Sequence, residues 1–279
     1  MSINTNYHTH SHFCDGKGKM EEYVLSAIEK GMECLGFSGH SPVPFPSSWN
    51  MSKEDLPTYL EEINRLKTSY FSQIQIYGGL EFDFIEGAST HIGLGLSKLD
   101  YFIGSIHYIK QFEDGTHFNY DESASKFDLG LQQIFSGNIR QLVTYYYTQI
   151  CTMIEMHQPP VIGHIDLIKK FNKDNRYFNE NEKWFVDAAR PALELAKKHD
   201  LIIEINTKGR AKGTCQTLYP GPGILKVCNE MDIAMTYSAD AHTPEDVTNQ
   251  RDQVELLLRY LGINKIRILK DKKWQDVGF

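Results

Sequence analysis

Residues 201–242 read LIIEINTKGRAKGTCQTLYPGPGILKVCNEMDIAMTYSADAH. Leu201–Asn206 and Ala234–Ser238 are short apolar runs with little polar alternation, the pattern of strands buried on both faces. Gly223–Met231 between them reads as a helix. Strand, helix and strand in that order predict a parallel βαβ unit, because parallel neighbours need a crossover that a hairpin cannot supply. The second strand runs into SADAH. Asp240 and His242 are two residues apart there, so in extended chain their side chains share one face.

The same alternation extends outward over the whole chain. Further strands are expected at Thr5–His8, Cys34–Ser38, Gln75–Phe84, Tyr101–His107, Pro160–Ile165 and Lys265–Leu269. Helices are expected at Met20–Lys30, Leu56–Tyr70, Ile139–His157, Glu182–His199 and Pro244–Leu261. Gly31 is placed to cap the first of these, and Pro244 after Thr243 suits the first turn of the last. Two stretches read as loops: Ser41–Asp55 with three prolines, and Lys110–Lys126 with an Asp-Gly turn at 114–115. No Gly/Ser tract, charge block or repeat divides the chain. The expectation is one α/β domain over residues 1–279, a barrel or near-barrel of roughly seven or eight β/α units.

Composition narrows the class. With 279 residues, 41% hydrophobic and 23% charged, the chain can bury a large core. A formal net charge of -7 excludes a global basic field for nucleic acid. Cys14, Cys34, Cys151, Cys215 and Cys228 are scattered with no C-x-x-C pair, which suggests reduced thiols rather than a disulfide framework. MSINTNYHTHSH lacks the pattern of a secretory leader, and no run approaches the ~18 apolar residues of a membrane span. The expectation is a cytoplasmic protein; oligomeric state is not legible.

The informative side chains recur at one structural address. His8 and His10 end the first strand, His40 the second, and Glu81 lies in the third. His107 ends the fourth, His164 follows the fifth, and Asp240 and His242 follow AMTYS. Six of the eleven histidines thus fall just after expected strands. In α/β barrels that end is where functional groups converge. Imidazoles with carboxylates suit Zn²⁺, Mn²⁺ or Fe²⁺ better than a structural thiolate site. Glu81 is the natural carboxylate to be shared between neighbouring ions. Asp15, Glu81 and Asp240 carry three negative charges; three divalent ions would leave +3 to attract a phosphate dianion. His91, His117, His157 and His199 read as ordinary loop or helix residues, and His12 as outer support.

HTHSHFCDG, GFSGHS, GGLEFDF, GSIHY, GHIDLIKKF, EINTKG and SADAH, in this order, resemble the PHP (polymerase and histidinol phosphatase) family. The resemblance runs from His8 to His242 and is nearest to the stand-alone L-histidinol-phosphate phosphatases of histidine biosynthesis. It implies a distorted (β/α)7 TIM-like barrel with two or three divalent metal ions at the C-terminal ends of the strands. It also implies a ligand set: His8, His10, Glu81 and Asp240 for one ion; Glu81, His107 and His164 for a second; Asp15, His40 and His242 for a third. At Asp15 this sequence departs from many relatives, which carry a histidine one residue farther on. For phosphate, the resemblance points to Arg210 or Lys212, with Ala211 standing where relatives often have arginine, and to Lys169 or Lys170. Tyr108 is a further candidate for substrate contact.

The implied reaction is hydrolysis of L-histidinol phosphate. A metal-bound water loses its proton and attacks phosphorus, with Glu81 and Asp240 holding the metals and Arg210 offsetting charge on the phosphoryl oxygens. An alternative is a phosphoesterase of the same fold acting on nucleotides or another small monoester. A non-catalytic metal-stabilised module is the third reading, disfavoured because every ligand position is filled. Nucleic acid and membrane are not expected partners. The two loops, 41–55 and 110–126, are expected to shape the substrate pocket.

Overall fold

The computed structural model describes residues 3–88, 95 and 98–279. The chain opens with β1 (Thr5–Asn6), α1 (Met20–Glu29), β2 (Cys34–Phe37), α2 (Leu56–Ser69), β3 (Gln75–Gly78) and β4 (Glu81–Asp83). The middle holds β5 (Ile103–Ser105), the hairpin strands β6 (Tyr108–Gln111) and β7 (His117–Asn119), α3 (Ala124–Phe135) and α4 (Ile139–His157). Then come β8 (Val161–Ile162), α5 (Lys183–Lys198), β9 (Ile202–Asn206), α6 (Lys208–Ala211), α7 (Pro222–Glu230), β10 (Met235–Ser238), α8 (Arg251–Tyr260), β11 (Lys265–Lys270) and β12 (Lys273–Gly278).

Parallel pairing runs β1–β2–β3 in one sheet and β4–β5–β8–β9–β10 in another. Two single parallel bridges, His40 with Glu81 and Thr9 with Ala241, join the sheets at both seams. The strands therefore close into a ring. With β3 and β4 taken as one strand interrupted at Gly79–Leu80, the ring has seven members, the distorted (β/α)7 barrel expected. Both seams rest on one bridge each, which is the distortion. They are also where HTH, GHS, GLE and DAH lie, so the backbone that closes the barrel also sets the site.

Helices α3 and α6 and strand β12 lie where the sequence reading placed no element, and three expected stretches take another form. The expected helix Pro244–Leu261 is split: a 3-10 turn covers Pro244–Thr248, Gln250 takes a left-handed φ of 53°, and α8 starts at Arg251. Lys265–Lys270 is a strand, but it pairs antiparallel with β12 outside the ring. The stretch 110–126 is not plain loop. It carries β7 and the end of β6, and Gly115 (φ 84°) makes the turn that the Asp-Gly pair forecast. His91 lies outside the described residues.

The β11–β12 hairpin covers the N-terminal ends of the barrel strands. Its Lys270 pairs with Glu33 just before β2, Asp271 with Gln75 at the start of β3, and Arg267 with Asp200 just before β9. Trp274 packs edge-on against Tyr7 at 5.4 Å and Tyr101 at 6.3 Å. Among the described residues no helix is long and apolar enough to cross a membrane.

Candidate metal centre

Backbone bonds fix the ligand-bearing segments before any side chain is considered. His10 N–H donates to Ala241 O (2.9 Å) and Ala241 N–H to His8 O (3.1 Å), holding HTH and DAH in register. Ser41 N–H donates to Glu81 O (2.8 Å) and Glu81 N–H to Gly39 O (3.0 Å), so GHS and GLE are likewise locked. Asp240 takes a left-handed φ of 50°, a conformation aspartate tolerates better than most residues. Asn206 at the end of β9 holds its carboxylate through Nδ2 at 3.0 Å.

Glu81 is the hub. It is 1% exposed, and five histidine rings approach its two oxygens. Oε2 lies 3.1 Å from His8 Nε2, 3.0 Å from His40 Nδ1 and 3.5 Å from His10 Nε2. Oε1 lies 2.9 Å from His164 Nε2 and 3.6 Å from His107 Nε2, and accepts from Ser105 Oγ at 2.6 Å. One carboxylate thus faces two separate sets of rings. Asp240 Oδ1 sits 3.2 Å from His10 Nε2 and 3.8 Å from His8 Nε2. Asp15 faces His242 Nε2 at 3.1 Å, His10 Nδ1 at 3.5 Å and His40 Nε2 at 3.7 Å.

Four sets of donor atoms come within 4.8 Å of one another: His8–His10–Glu81, Glu81–His107–His164, His10–Asp15–His40–His242, and His40–Asp83–His107. Eight of the nine expected ligand positions fall in these sets, and the ninth, Asp240, lies beside them, 3.2 Å from His10 Nε2. The partition differs in detail, since His10 and His40 each stand between two groups. Asp83 was missed, although GLEFD places it two residues beyond Glu81 on the same strand face.

Electrostatics prepare these groups to bind cations. Burial alone would raise the Glu81 carboxyl, yet His40, His8 and His107 outweigh it and hold the group well below the usual carboxylate range. Burial also opposes ionisation of Asp240, but Lys208 and His8 keep it well below that range. Burial pushes the His10 ring well below its ordinary value, helped by His242 and His40, so the ring is neutral and one of its nitrogens keeps a free lone pair. Against burial, Asp83 and Glu81 push His107 up to about 9.

Two rings are aimed by carboxylates behind them. His8 Nδ1 is bonded to Glu204, and His107 Nδ1 to Asp83, so each ring turns Nε2 toward Glu81. Such pairing fixes the tautomer and raises the basicity of the outward nitrogen. Glu204 was missed too. The signal was present: a glutamate in the middle of the apolar strand IIEIN must have a buried partner.

Among the described residues, the buried nitrogens His10 Nε2, His40 Nδ1 and His164 Nδ1 lack a hydrogen bond. The first two lie within 3.5 Å of carboxylate oxygens without the alignment of a bond. Misaligned lone pairs converging on common space fit cation ligands better than hydrogen-bond partners. The Lys208 ammonium is itself a stand-in cation, 2.9 Å from His242 Nε2 and 3.3 Å from Asp240 Oδ1.

The basic residues require correction. Arg210 is exposed on α6 and does not line the cavity that opens onto Glu81. Positions 208 and 212 share one face of a helical turn and 210 lies opposite, which is why Lys208 and Lys212 face the cavity instead. Lys169 is also withdrawn. It is 1% exposed and spent on Asp166 (2.8 Å), Glu180 (2.7 Å) and Thr217 (2.8 Å). Lys170 and Tyr108 do line the cavity, Lys170 paired with Asp121 at 3.0 Å. His12 is exposed, its ring beside Phe13, with no contact to the cluster among the described residues. The cavity measures about 860 Å³, and both expected loops contribute to its wall.

The PHP domain family matches residues 6–208 of the chain. A protein of Schizosaccharomyces pombe named probable histidinol-phosphatase is 31% identical over 278 residues, covering 94% of this chain and 88% of its own length. The histidinol-phosphatase of Bacillus subtilis is 28% identical over 255 residues, covering 86% of this chain and 94% of its own. Histidinol phosphate phosphatase from Lactococcus lactis, solved with zinc, L-histidinol and phosphate, shares the fold at a TM-score of 0.72 and 19% identity, over 98% of this chain and 99% of that one.

Proposed function

The chain belongs to the PHP domain family, and from that membership and the site we propose that it hydrolyses L-histidinol phosphate to L-histidinol and phosphate with two or three divalent metal ions. The observation that carries the reading is Glu81, a buried carboxylate whose two oxygens face separate sets of imidazole nitrogens. That arrangement suits a ligand shared between neighbouring ions. His8, His10 and Asp240 complete one site, His107 and His164 the next, and Asp15, His40 and His242 a third. When bound, divalent ions supply Lewis acidity and a coordinated water with its pKa lowered toward ~7.

The protein's own groups do the rest. Glu204 and Asp83 orient the rings of His8 and His107 and accept the charge those rings share. These two acids, with Asp15, Glu81 and Asp240, reduce the surplus of three divalent ions from +3 to +1. Ammonium groups must therefore help to hold a phosphate dianion. Lys208 is the residue for that task in this reading, in place of Arg210, because it lies at the cluster on the cavity side. With Asp240 engaged by a cation, its ammonium is free for a phosphoryl oxygen. Lys170 also lines the cavity, paired with Asp121.

A small substrate suits the cavity better than a polynucleotide. Its lysines are already matched, Lys170 with Asp121, Lys126 with Glu122 and Lys212 with Asp246, leaving no basic stripe for a phosphate backbone. The same proposal places the reaction in the cytoplasm. The deciding experiment is phosphate release by metal-loaded protein from L-histidinol phosphate, nucleotide monophosphates and an aryl phosphate. A preference of about 10²-fold in kcat/KM for L-histidinol phosphate, abolished by a chelator, is expected. Equal or better turnover of nucleotides, or no turnover, rejects the substrate assignment.

A further inference from the structure

The cavity wall beyond the metal ligands is built from rings. Trp49 packs edge-on against His40 at 4.4 Å and His107 at 5.4 Å, so it touches two candidate ligands directly. Its other neighbour is Tyr108, stacked at 5.5 Å with an interplanar angle of 15°. Phe45 meets Tyr108 edge-on at 5.1 Å and stacks on His117 at 4.3 Å and 23°. A continuous path of aromatic contacts thus leads from the imidazoles around Glu81 along the wall, and Phe45, Trp49, Tyr108 and His117 all line the cavity.

This wall is fixed in place. Asn50 donates from Nδ2 to the Asp83 carboxylate (2.7 Å) and to Ser41 O (2.9 Å). Its Oδ1 accepts from Ser47 (2.7 Å) and from Tyr108 Oη (3.3 Å). One side chain therefore ties the 45–49 loop, the β6–β7 hairpin and the acid behind His107 together. Such bracing lowers the ordering cost of binding.

We infer that Phe45, Trp49, Tyr108 and His117 form the leaving-group subsite and select esters whose alcohol carries a flat, cation-tolerant ring. The inference rests on the proposed phosphatase reading. With the phosphoryl group at the cluster, the alcohol half points along this wall. An imidazole is planar and titrates near pH ~6.5, so both stacking and cation–π attraction are open to it. An aliphatic alcohol has neither. His117, an ordinary loop residue on sequence grounds, becomes part of the specificity surface.

The test compares the kcat/KM ratio of L-histidinol phosphate to glycerol 1-phosphate in the wild type, Trp49→Ala, Trp49→Phe and Phe45→Ala, with the metal content of each protein measured. The ratio should fall about tenfold in Trp49→Ala and Phe45→Ala, mainly through KM, and largely recover in Trp49→Phe. L-Histidinol should bind the alanine variants correspondingly more weakly by calorimetry. Ratios and L-histidinol affinities unchanged within twofold in both alanine variants would overturn the inference, whatever the common loss of rate. Phenyl phosphate separates the two claims. If the wild type ignores L-histidinol phosphate yet Trp49→Ala loses phenyl over glycerol phosphate selectively, the wall stands and the substrate assignment falls.

Discussion

Glu81 holds its charge in a place where burial alone would neutralise it, and only the surrounding imidazoles make that affordable. The same logic governs Lys208, a cation kept charged against burial by Asp240, Asp15 and Glu81. Its ammonium lies among the groups where phosphate charge must be met, whereas Arg210, two residues on, faces solvent. Lys208→Ala should therefore lower kcat/KM about 10²-fold, in line with loss of one charge-stabilising donor at a reacting centre. Arg210→Ala should stay within about threefold of wild type, as surface substitutions do. Steady-state kinetics on the two variants decides between them, and the reverse ranking would restore Arg210 and remove Lys208 from the proposed machinery.

At the scale of elements, the break between β3 and β4 is packed against one ring. Tyr101 donates its hydroxyl proton to the Tyr7 carbonyl (2.5 Å), with the Phe37 carbonyl 3.1 Å from the same oxygen, and its ring lies against Gly79. A Cβ at 79 would sit 2.7 Å from that ring, whose hydroxyl anchors leave it little room to withdraw. Gly79→Ala should cost about 1–3 kcal/mol of stability, measured as a lower denaturant midpoint; an unchanged midpoint would mean that Tyr101 yields easily. Most barrel strands were legible in the sequence because they are short apolar runs, β1 (Thr5–Asn6) being a polar exception, and their bounds shifted by only a few residues. Less local features were not. The helix α3 hides behind Gly130, which is needed because a Cβ there would meet the Phe118 ring at 2.3 Å. The hairpin role of Lys265–Lys270 depends on partners 33, 75 and 200, which no local pattern reports. The site divides the same way. Histidines at strand ends announced themselves; Asp83 and Glu204 showed only as acids within strands, and Lys208 acts through Asp240 and His242, more than thirty residues on.

For the molecule as a whole, the two ends of the barrel are built for opposite purposes. The β11–β12 hairpin closes the N-terminal end with aromatic packing and exposed ion pairs. The other end gathers Asp15, Glu81, Asp83, Glu204 and Asp240 with six histidines, nearly all of them buried. Such a cluster trades stability for metal affinity, because its acids lie close together and three of its buried imidazole nitrogens lack a hydrogen bond. Ligand binding to the folded state alone stabilises by RT ln(1 + [L]/Kd), about 2.7 kcal/mol at a hundredfold excess over Kd. Stripping metal with a chelator should then lower Tm by several degrees, at roughly 2–4 °C per kcal/mol for a chain somewhat smaller than this one. The loss should also be local. Hydrogen exchange of the metal-free protein should quicken at residues 8–10, 107, 164 and 240–242, which the cluster organises, and stay slow in β11. Adding zinc or manganese back should reverse both changes. If Tm and exchange are indifferent to chelator and metal alike, the cluster is held by its hydrogen bonds alone, and the proposed metal centre is wrong.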